Sequence, residues 1–247
     1  DYLRETRDFR EFELIEGHSQ FEPYLLSLDD AQDRRVTDLA ARLVMITLHE
    51  HPHLFPSDLA EMEAYDKEAR ISTAYAALAD SYWDGVFDNF QNGTTFITSK
   101  SGWKWDDIIY DMGMRLCDLA HQDFLIKCES VEDFHRAHRE GKVALVAAQE
   151  GAAMIENELD RIEILYGIGL RVLGICYSES NALGTGLKEV RDGGLTDFGK
   201  RAVRRMNEVG MAIDCAHASD LTTLDTVEAS SHPIFLTHTG ARALWDI

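Results

Sequence analysis

From residue 42 onward, short apolar runs alternate with longer amphipathic segments, and this alternation constrains the fold more than any other feature of the sequence. Short apolar runs that are rich in β-branched side chains predict buried strands. They occupy residues 43–48, 85–90, 143–148, 170–176, 211–215 and 234–237. Continuously apolar strands separated by helices predict a parallel β-sheet that is covered by helices.

The segments between these runs have apolar residues spaced three and four apart, which is typical of helices. Ser130 and Thr196 are candidate N-caps, and Gly141 and Gly210 are candidate helix ends. The glycines in the GTG stretch at 184–186 do not have the flanking pattern of a phosphate-binding loop, which argues against a dinucleotide-binding fold. The choice that remains is between an open sheet and a closed barrel.

Charge and composition exclude several classes of partner. The chain of 247 residues carries 44 acidic against 24 basic side chains, a net charge of −20. This negative field repels phosphate groups and anionic lipids, which argues against nucleic-acid or membrane-surface binding. No apolar run approaches the length of a membrane span, and the charged first residues predict that no signal peptide is present. The four cysteines lack zinc-knuckle or redox spacing, so we expect reduced thiols and a cytoplasmic location.

Potential metal ligands follow four of the predicted strands. His49 and His51 lie two residues apart at the end of the first run, so in a strand they share one face. Glu150 follows VALVAAQ, His217 comes just after MAIDC, and His238 follows PIFLT. In a parallel barrel, active sites form at the carboxyl ends of the strands. Because imidazole and carboxylate groups are common zinc ligands, these five residues predict a metal site.

The other histidines carry weaker signals. His53 would replace His49 as a ligand if the register slipped by two residues, but the apolar run ends too early to favour this alternative. His135 and His138 lie three apart on a charged helical segment and are expected to be solvated. No ligand-like context surrounds His18 or His121, and His232 precedes Pro233 at the start of a predicted strand, the opposite end from the expected site.

Longer motifs resemble a known family. The stretch GGLTDFGKRAVRRMNEVGMAIDCAHAS, followed by HPIFLTHTGARAL, resembles the renal, or membrane, dipeptidase family of zinc metallopeptidases. GKVALVAAQEGAAM and YGIGLRVLGICYSESNALGTG are similar to the same family. The resemblance is strong from about residue 123 to 245, fainter from 43 to 91, and absent from the first forty residues.

The resemblance implies an α/β fold, a (β/α)₈ TIM-type barrel related to the amidohydrolases, with two zinc ions at its mouth. By position, Glu150 would bridge both metals, and His217 with His238 would hold the second. The first metal would take His49 and His51, where the family usually has His-x-Asp. An imidazole in place of the carboxylate removes one negative charge, so we expect a more electrophilic and less tightly bound metal pair. Other divalent metals are alternatives to zinc.

Two residues are expected to bind substrate. Tyr177 stands where the family usually has a histidine that contacts the substrate and the reaction oxyanion, and Asn181 matches an asparagine common in the family. A phenol donates a hydrogen bond but does not become a cation near neutral pH. The substitution therefore makes dipeptidase activity a weaker expectation than metal binding.

The resemblance also raises an expectation about chain length. The barrel is expected to be truncated after the sixth strand, with residues 1–40 as an N-terminal extension and residues 41–247 as the incomplete barrel. The aspartate that usually shuttles the proton, and the arginine that usually holds the substrate carboxylate, would lie past residue 247. No catalytic acid–base residue is therefore assigned.

The sequence favours a binuclear zinc hydrolase that cleaves dipeptides or similar small amides with a metal-bridging hydroxide. A metal-dependent hydrolase of another small amide or of a lactone is one alternative, and an inactive metal-binding scaffold is another. A dipeptide-like small molecule is the expected partner. Family resemblance also implies a homodimer.

Overall fold

The structure is a computed structural model, and it describes residues 4–5, 7–15, 26–69, 73–90 and 104–244. Eight helices lie in these ranges: α1 Asp30–Ala40, α2 Met62–Glu68, α3 Tyr75–Ala79, α4 Trp105–Leu119, α5 Val131–Glu140, α6 Arg161–Ile168, α7 Asp197–Val209 and α8 Asp220–Ala229. Six strands lie in the same ranges: β1 Ile46–Glu50, β2 Gly85–Asn89, β3 Leu125–Lys127, β4 Val143–Gln149, β5 Leu170–Gly174 and β6 Ala212–Asp214.

The strands form one sheet in the order β1-β2-β4-β5-β6, and β3 pairs with the start of β4. The pairs β3–β4, β4–β5 and β5–β6 are all parallel. A helix connects each strand of these pairs to the next along the chain. The alternation confirms the α/β prediction, and it brings the carboxyl ends of the strands to one edge of the sheet.

The helix boundaries follow the predicted caps. The Thr196 hydroxyl accepts a hydrogen bond from the Gly199 amide at the start of α7. That helix ends at Gly210, whose φ of 84° lies in the left-handed region that glycine adopts without strain. Gly141 ends α5 in the same way, with a φ of 64°.

Two strand predictions need correction. β3 was not predicted, because its three residues, Leu125–Lys127, form too short an apolar run to stand out between polar neighbours. Residues 234–237 were predicted as a strand but make only an isolated parallel bridge, between Phe235 and Asp214. The first strand also begins later and extends further than predicted, so that His49 lies within it.

The chain divides into two compact units: residues 1–47, 52–86 and 114–145 form the first, and 48–51, 87–113 and 146–247 the second. The core of the second unit contains large, fully buried apolar side chains: Ile155, Ile162, Leu165, Leu170, Leu173, Ile175, Leu183, Met206 and Ile213. It also contains the carboxyl ends of β1, β2 and β4. The predicted boundary after residue 40 stays a prediction. No helix in the described ranges combines the length and apolar character needed to cross a bilayer.

A close approach of backbones supports the end of β4. Gly174, the last residue of β5, packs so tightly against the carbonyl group of Glu150 that a β-carbon would overlap it. A side chain here would push apart the segment that carries Glu150. The glycine is therefore required by the distance between neighbouring strands and not by its backbone angles.

We expect Gly174→Ala to destabilise the fold by about 2 kcal/mol or more, because the added methyl group has no space. Gly167→Ala is the matched control: Gly167 lies at an exposed position of α6, and a β-carbon there would meet nothing within 4 Å. The control should gain about 0.5–1 kcal/mol from higher helix propensity. Urea denaturation measures both changes, and equal stability of the two variants would contradict the packing argument.

Candidate metal centre

Five side chains from separate segments of the second unit meet at the carboxyl ends of its strands. His49 lies in β1 and His51 directly follows that strand. Glu150 follows β4, and His217 lies three residues after β6. His238 comes after the short bridge that Phe235 makes with Asp214. His49, His51 and Glu150 therefore lie at or directly after the ends of β1 and β4, whereas His217 and His238 lie in the segments that follow β6 and the Phe235 bridge.

One oxygen of Glu150 faces the first histidine pair. Its Oε1 lies 3.1 Å from His49 Nε2 and 2.7 Å from His51 Nε2. The two rings stand edge to face, with centroids 4.8 Å apart. The three ligand atoms lie within 4.8 Å of one another, which is close enough to share an ion.

The other oxygen of Glu150 faces the second pair. Its Oε2 lies 3.5 Å from His217 Nε2, and His217 Nε2 lies 2.9 Å from His238 Nε2. His238 also stacks on His49, with ring centroids 3.6 Å apart. These ligand atoms form a second group within 4.8 Å. A carboxylate between two histidine pairs fits divalent metals, since imidazole nitrogen and carboxylate oxygen are their usual donors.

Asn89, which was not among the predicted site residues, orients the first pair. This buried residue ends β2. Its backbone carbonyl oxygen lies 3.3 Å from His51 Nδ1, and its side-chain nitrogen lies 2.8 Å from His49 Nδ1. Ligating histidines commonly use the second ring nitrogen in this way. The polar residue at the end of an apolar strand was the available signal.

The local electrostatics set the ionisation states. Burial raises the pKa of Glu150, but hydrogen bonds from His49 and His51, together with positive charge on His51, outweigh it and lower the pKa to about 2. Burial, together with His49 and His217, lowers the pKa of His238 to about 4. Burial also lowers the pKa of His217, whose buried Nδ1 has no hydrogen-bond partner among the described residues. His51 differs: although burial opposes it, contact with Glu150 raises its pKa.

The two predicted substrate residues lie in different surroundings. The ring of Tyr177 lies 4.2 Å from that of His217. Burial first, and then Glu150 and Glu179, raise the pKa of Tyr177, so its hydroxyl stays protonated. Asn181 instead turns toward its own loop, donating to the Ile175 carbonyl at 2.8 Å and accepting from the Leu183 amide at 2.8 Å. Substrate contact by either residue stays a prediction.

The remaining histidines are placed elsewhere. His53 lies in the first unit, where it forms a bridge with Thr73. His135 is exposed, as predicted. The prediction for His138 is wrong: its Nδ1 lies 3.0 Å from Asp84 Oδ1, and the pair is partly buried. Asp84 also accepts a hydrogen bond from the Met45 amide. Its contact with His138 draws the end of α5 toward the start of β2.

Three other predictions concern peripheral residues. His121 and His232 are exposed, and His18 lies outside the described residues. The four cysteines, all of which lie in the described ranges, form no disulfide bonds.

The sequence model of the membrane dipeptidase family, peptidase family M19, matches residues 33–247. The chain belongs to the membrane dipeptidase family. The match includes all five residues of the candidate centre and begins inside α1.

Several solved structures share the fold of this chain. An amidohydrolase from Pseudomonas aeruginosa is 19% identical with a TM-score of 0.68, and the match covers 85% of this chain and 57% of that one. The probable dipeptidase PvdM from the same organism is 22% identical with a TM-score of 0.66, covering 87% and 56%. A metallopeptidase from Rhodobacter sphaeroides, liganded with a phosphinate mimic of the dipeptide L-Ala-D-Ala, is 18% identical with a TM-score of 0.62, covering 81% and 66%.

At these identities the likeness concerns the fold, and it confirms the predicted barrel class. The chain spans little more than half the length of the two Pseudomonas structures.

The lowered pKa of His238 predicts how the stability of this protein, without metal, depends on pH. The unfolded chain protonates this ring near the ordinary value of about 6.5, whereas the folded chain resists protonation down to about 4. The free energy of unfolding should therefore fall as the pH drops between these values. His238→Gln should flatten that slope, measured by urea denaturation in chelator, whereas His232→Gln at an exposed position should not. An unchanged slope in His238→Gln would contradict the assignment.

Proposed function

We propose that this chain carries the binuclear metal centre of a hydrolase that cleaves dipeptides or similar small amides. One observation carries the proposal: the two oxygens of the buried Glu150 carboxylate face two different histidine pairs. A single carboxylate between two pairs of imidazole rings fits a group that bridges two cations. Membership of the membrane dipeptidase family supports the same reading.

The five residues divide between two ions, for which zinc is proposed. His49, His51 and Glu150 would hold the first, and Glu150, His217 and His238 the second. When bound, such ions lower the pKa of water toward ~7 and polarise an amide carbonyl. Because Glu150 stays ionised and His238 stays neutral near neutral pH, both present lone pairs to a cation without first losing a proton.

His49 requires one rearrangement before it can hold an ion. The Asn89 amide nitrogen can only donate, so His49 Nδ1 accepts from it and the ring proton resides on Nε2, toward Glu150. For Nε2 to hold an ion, that proton moves to Nδ1 and the Asn89 amide turns over to accept it. Asn89 can serve both states because one end of its amide donates and the other accepts.

Tyr177 is proposed to face the scissile amide. Its ring lies beside His217, and its raised pKa keeps the hydroxyl proton available near neutral pH. A phenol in this position can donate to the negative charge that develops on the carbonyl oxygen. Asn181 is proposed to act indirectly, since its amide holds the backbone of the loop that follows Tyr177.

A small dipeptide is the proposed substrate. The dipeptide mimic bound to the Rhodobacter sphaeroides structure supports a substrate of this class. The phenol at position 177, in place of the histidine usual in the family, favours one second candidate. This is another small amide or a lactone, bound through a hydrogen bond from a neutral donor. The homodimer and the cytoplasmic location stay predictions.

The first test is metal content and hydrolysis. We expect the purified chain to take up two zinc ions and to hydrolyse members of a panel of dipeptides, small amides and lactones. His217→Ala should lose one ion and abolish turnover, because the second position then keeps only two ligands. His232→Ala is the matched control at an exposed histidine. A chain that takes up two ions but cleaves no compound would support the inactive scaffold instead.

A second test separates Tyr177 from the metal. Tyr177→Phe keeps the ring beside His217 and removes only the hydroxyl. We expect the zinc content to stay at the wild-type value while kcat falls by about 100-fold. Steady-state kinetics on the best substrate of the panel, with metal analysis, measures both. Unchanged kcat would exclude Tyr177 as a donor to the transition state.

A further inference from the structure

A hydroxyl group lies between a buried carboxylate and the ring of His238. The Thr237 hydroxyl donates a hydrogen bond to Asp214 Oδ2 over 2.6 Å. The same oxygen lies 3.0 Å from His238 Nδ1. On the other side of the ring, His238 Nε2 faces His217 Nε2 at 2.9 Å. These contacts form one continuous chain from Asp214 to His217.

The proton count along this chain determines the tautomer of His238. A threonine hydroxyl has one proton, and a carboxylate accepts hydrogen bonds but donates none. Because that proton goes to Asp214, the Thr237 oxygen can only accept, so His238 Nδ1 carries the ring proton. The Nε2 atom then keeps its lone pair, and it is the atom turned toward His217.

Asp214 is held so that it cannot turn away. It is the last residue of β6 and is 5% exposed. Its Oδ1 accepts the backbone amides of Ala216 at 3.1 Å and of Thr237 at 3.2 Å, while Oδ2 takes the hydroxyl. Hydrogen bonds to an ionised acceptor are strong, and rotation of the carboxylate would break all three. The hydrogen bonds at the ends of these two neighbouring segments therefore fix the direction of the hydrogen-bonded series from Asp214 to His217.

We propose that Asp214 and Thr237 are positioning residues for the second metal ion, because they keep the His238 proton on Nδ1 and present Nε2 beside Glu150 and His217. This inference rests on the proposed function. The first histidine pair is oriented by neutral groups of Asn89 instead. A change at Thr237 should therefore act on one ion and spare the other.

The first test compares Thr237→Val with Thr237→Ser in the full chain. Valine keeps the shape of the side chain but cannot accept from Nδ1, whereas serine restores the hydroxyl. In calorimetric titrations with Zn²⁺ and with Co²⁺, the wild type should take up two ions. The valine variant should bind one of them about 10–100-fold more weakly, and the serine variant should bind both as the wild type does. Thr239→Val, at an exposed threonine two residues away, should also behave as the wild type.

A second measurement does not depend on metal. Nitrogen NMR of the imidazole rings, in chelator, should show His238 protonated at Nδ1 in the wild type. In Asp214→Asn, the new amide can donate to the Thr237 oxygen, so the hydroxyl turns to donate to Nδ1 and the ring proton moves to Nε2. Circular dichroism shows whether the valine variant folds. If it does not fold, Asp214→Asn still tests the inference.

The outcomes are distinguishable. If wild type takes up two ions and Thr237→Val binds both equally well, the inference is overturned and the proposed function stands. A His238 tautomer that is unchanged in Asp214→Asn would overturn it as well. If the wild type takes up no metal, the proposed function fails and the inference falls with it.

Discussion

The Glu150 carboxylate is the interaction on which the site depends. It lies at the end of β4, is 4% exposed, and touches three of the four histidines. Burying an ionised carboxylate costs several kcal/mol unless positive charge or hydrogen bonds compensate. Contacts from His49 and His51 compensate so well that the net pKa falls to about 2. Three imidazoles therefore face one charge, and the fourth, His238, contacts two of them, His49 and His217.

The sheet makes this convergence possible at low cost. Parallel strands end at one edge, so residues that are distant in the sequence arrive at neighbouring positions without long loops. The glycine at the end of β5 lets its strand approach the Glu150 carbonyl closely. Partners behind the ligands, Asn89 for His49 and His51 and Thr237 with Asp214 for His238, then determine which ring nitrogen faces inward. The spacing of the backbones therefore places the ligands, and the partners behind the ligands determine the positions of the ring protons.

Much of this arrangement could be predicted from the pattern of residues. Apolar runs of strand length are buried because the removal of apolar side chains from water is favourable. A polar residue at the end of such a run therefore stands out in the sequence. That reasoning found His49, His51, Glu150, His217 and His238, and the structure brings all five together. It failed for Leu125–Lys127, where three residues are too few to show a period, and for residues 234–237, where pairing reaches only Phe235. Strand formation in such short segments depends on the neighbour that supplies the hydrogen bonds.

The sequence by itself determined the α/β alternation, the helix caps at Thr196 and Gly210, and the residue types available for a metal, because these depend on local spacing and side-chain chemistry. Only the tertiary structure decided that Asn89 serves two histidines, that His138 pairs with Asp84, and that Asp214 reaches His238 through Thr237. These contacts join residues 23 to 54 positions apart: 23 for Asp214 with Thr237, 40 for Asn89 with His49, and 54 for His138 with Asp84. Hydrogen bonds depend on distances of a few tenths of an ångström, and no local pattern specifies distances between segments that only folding brings together.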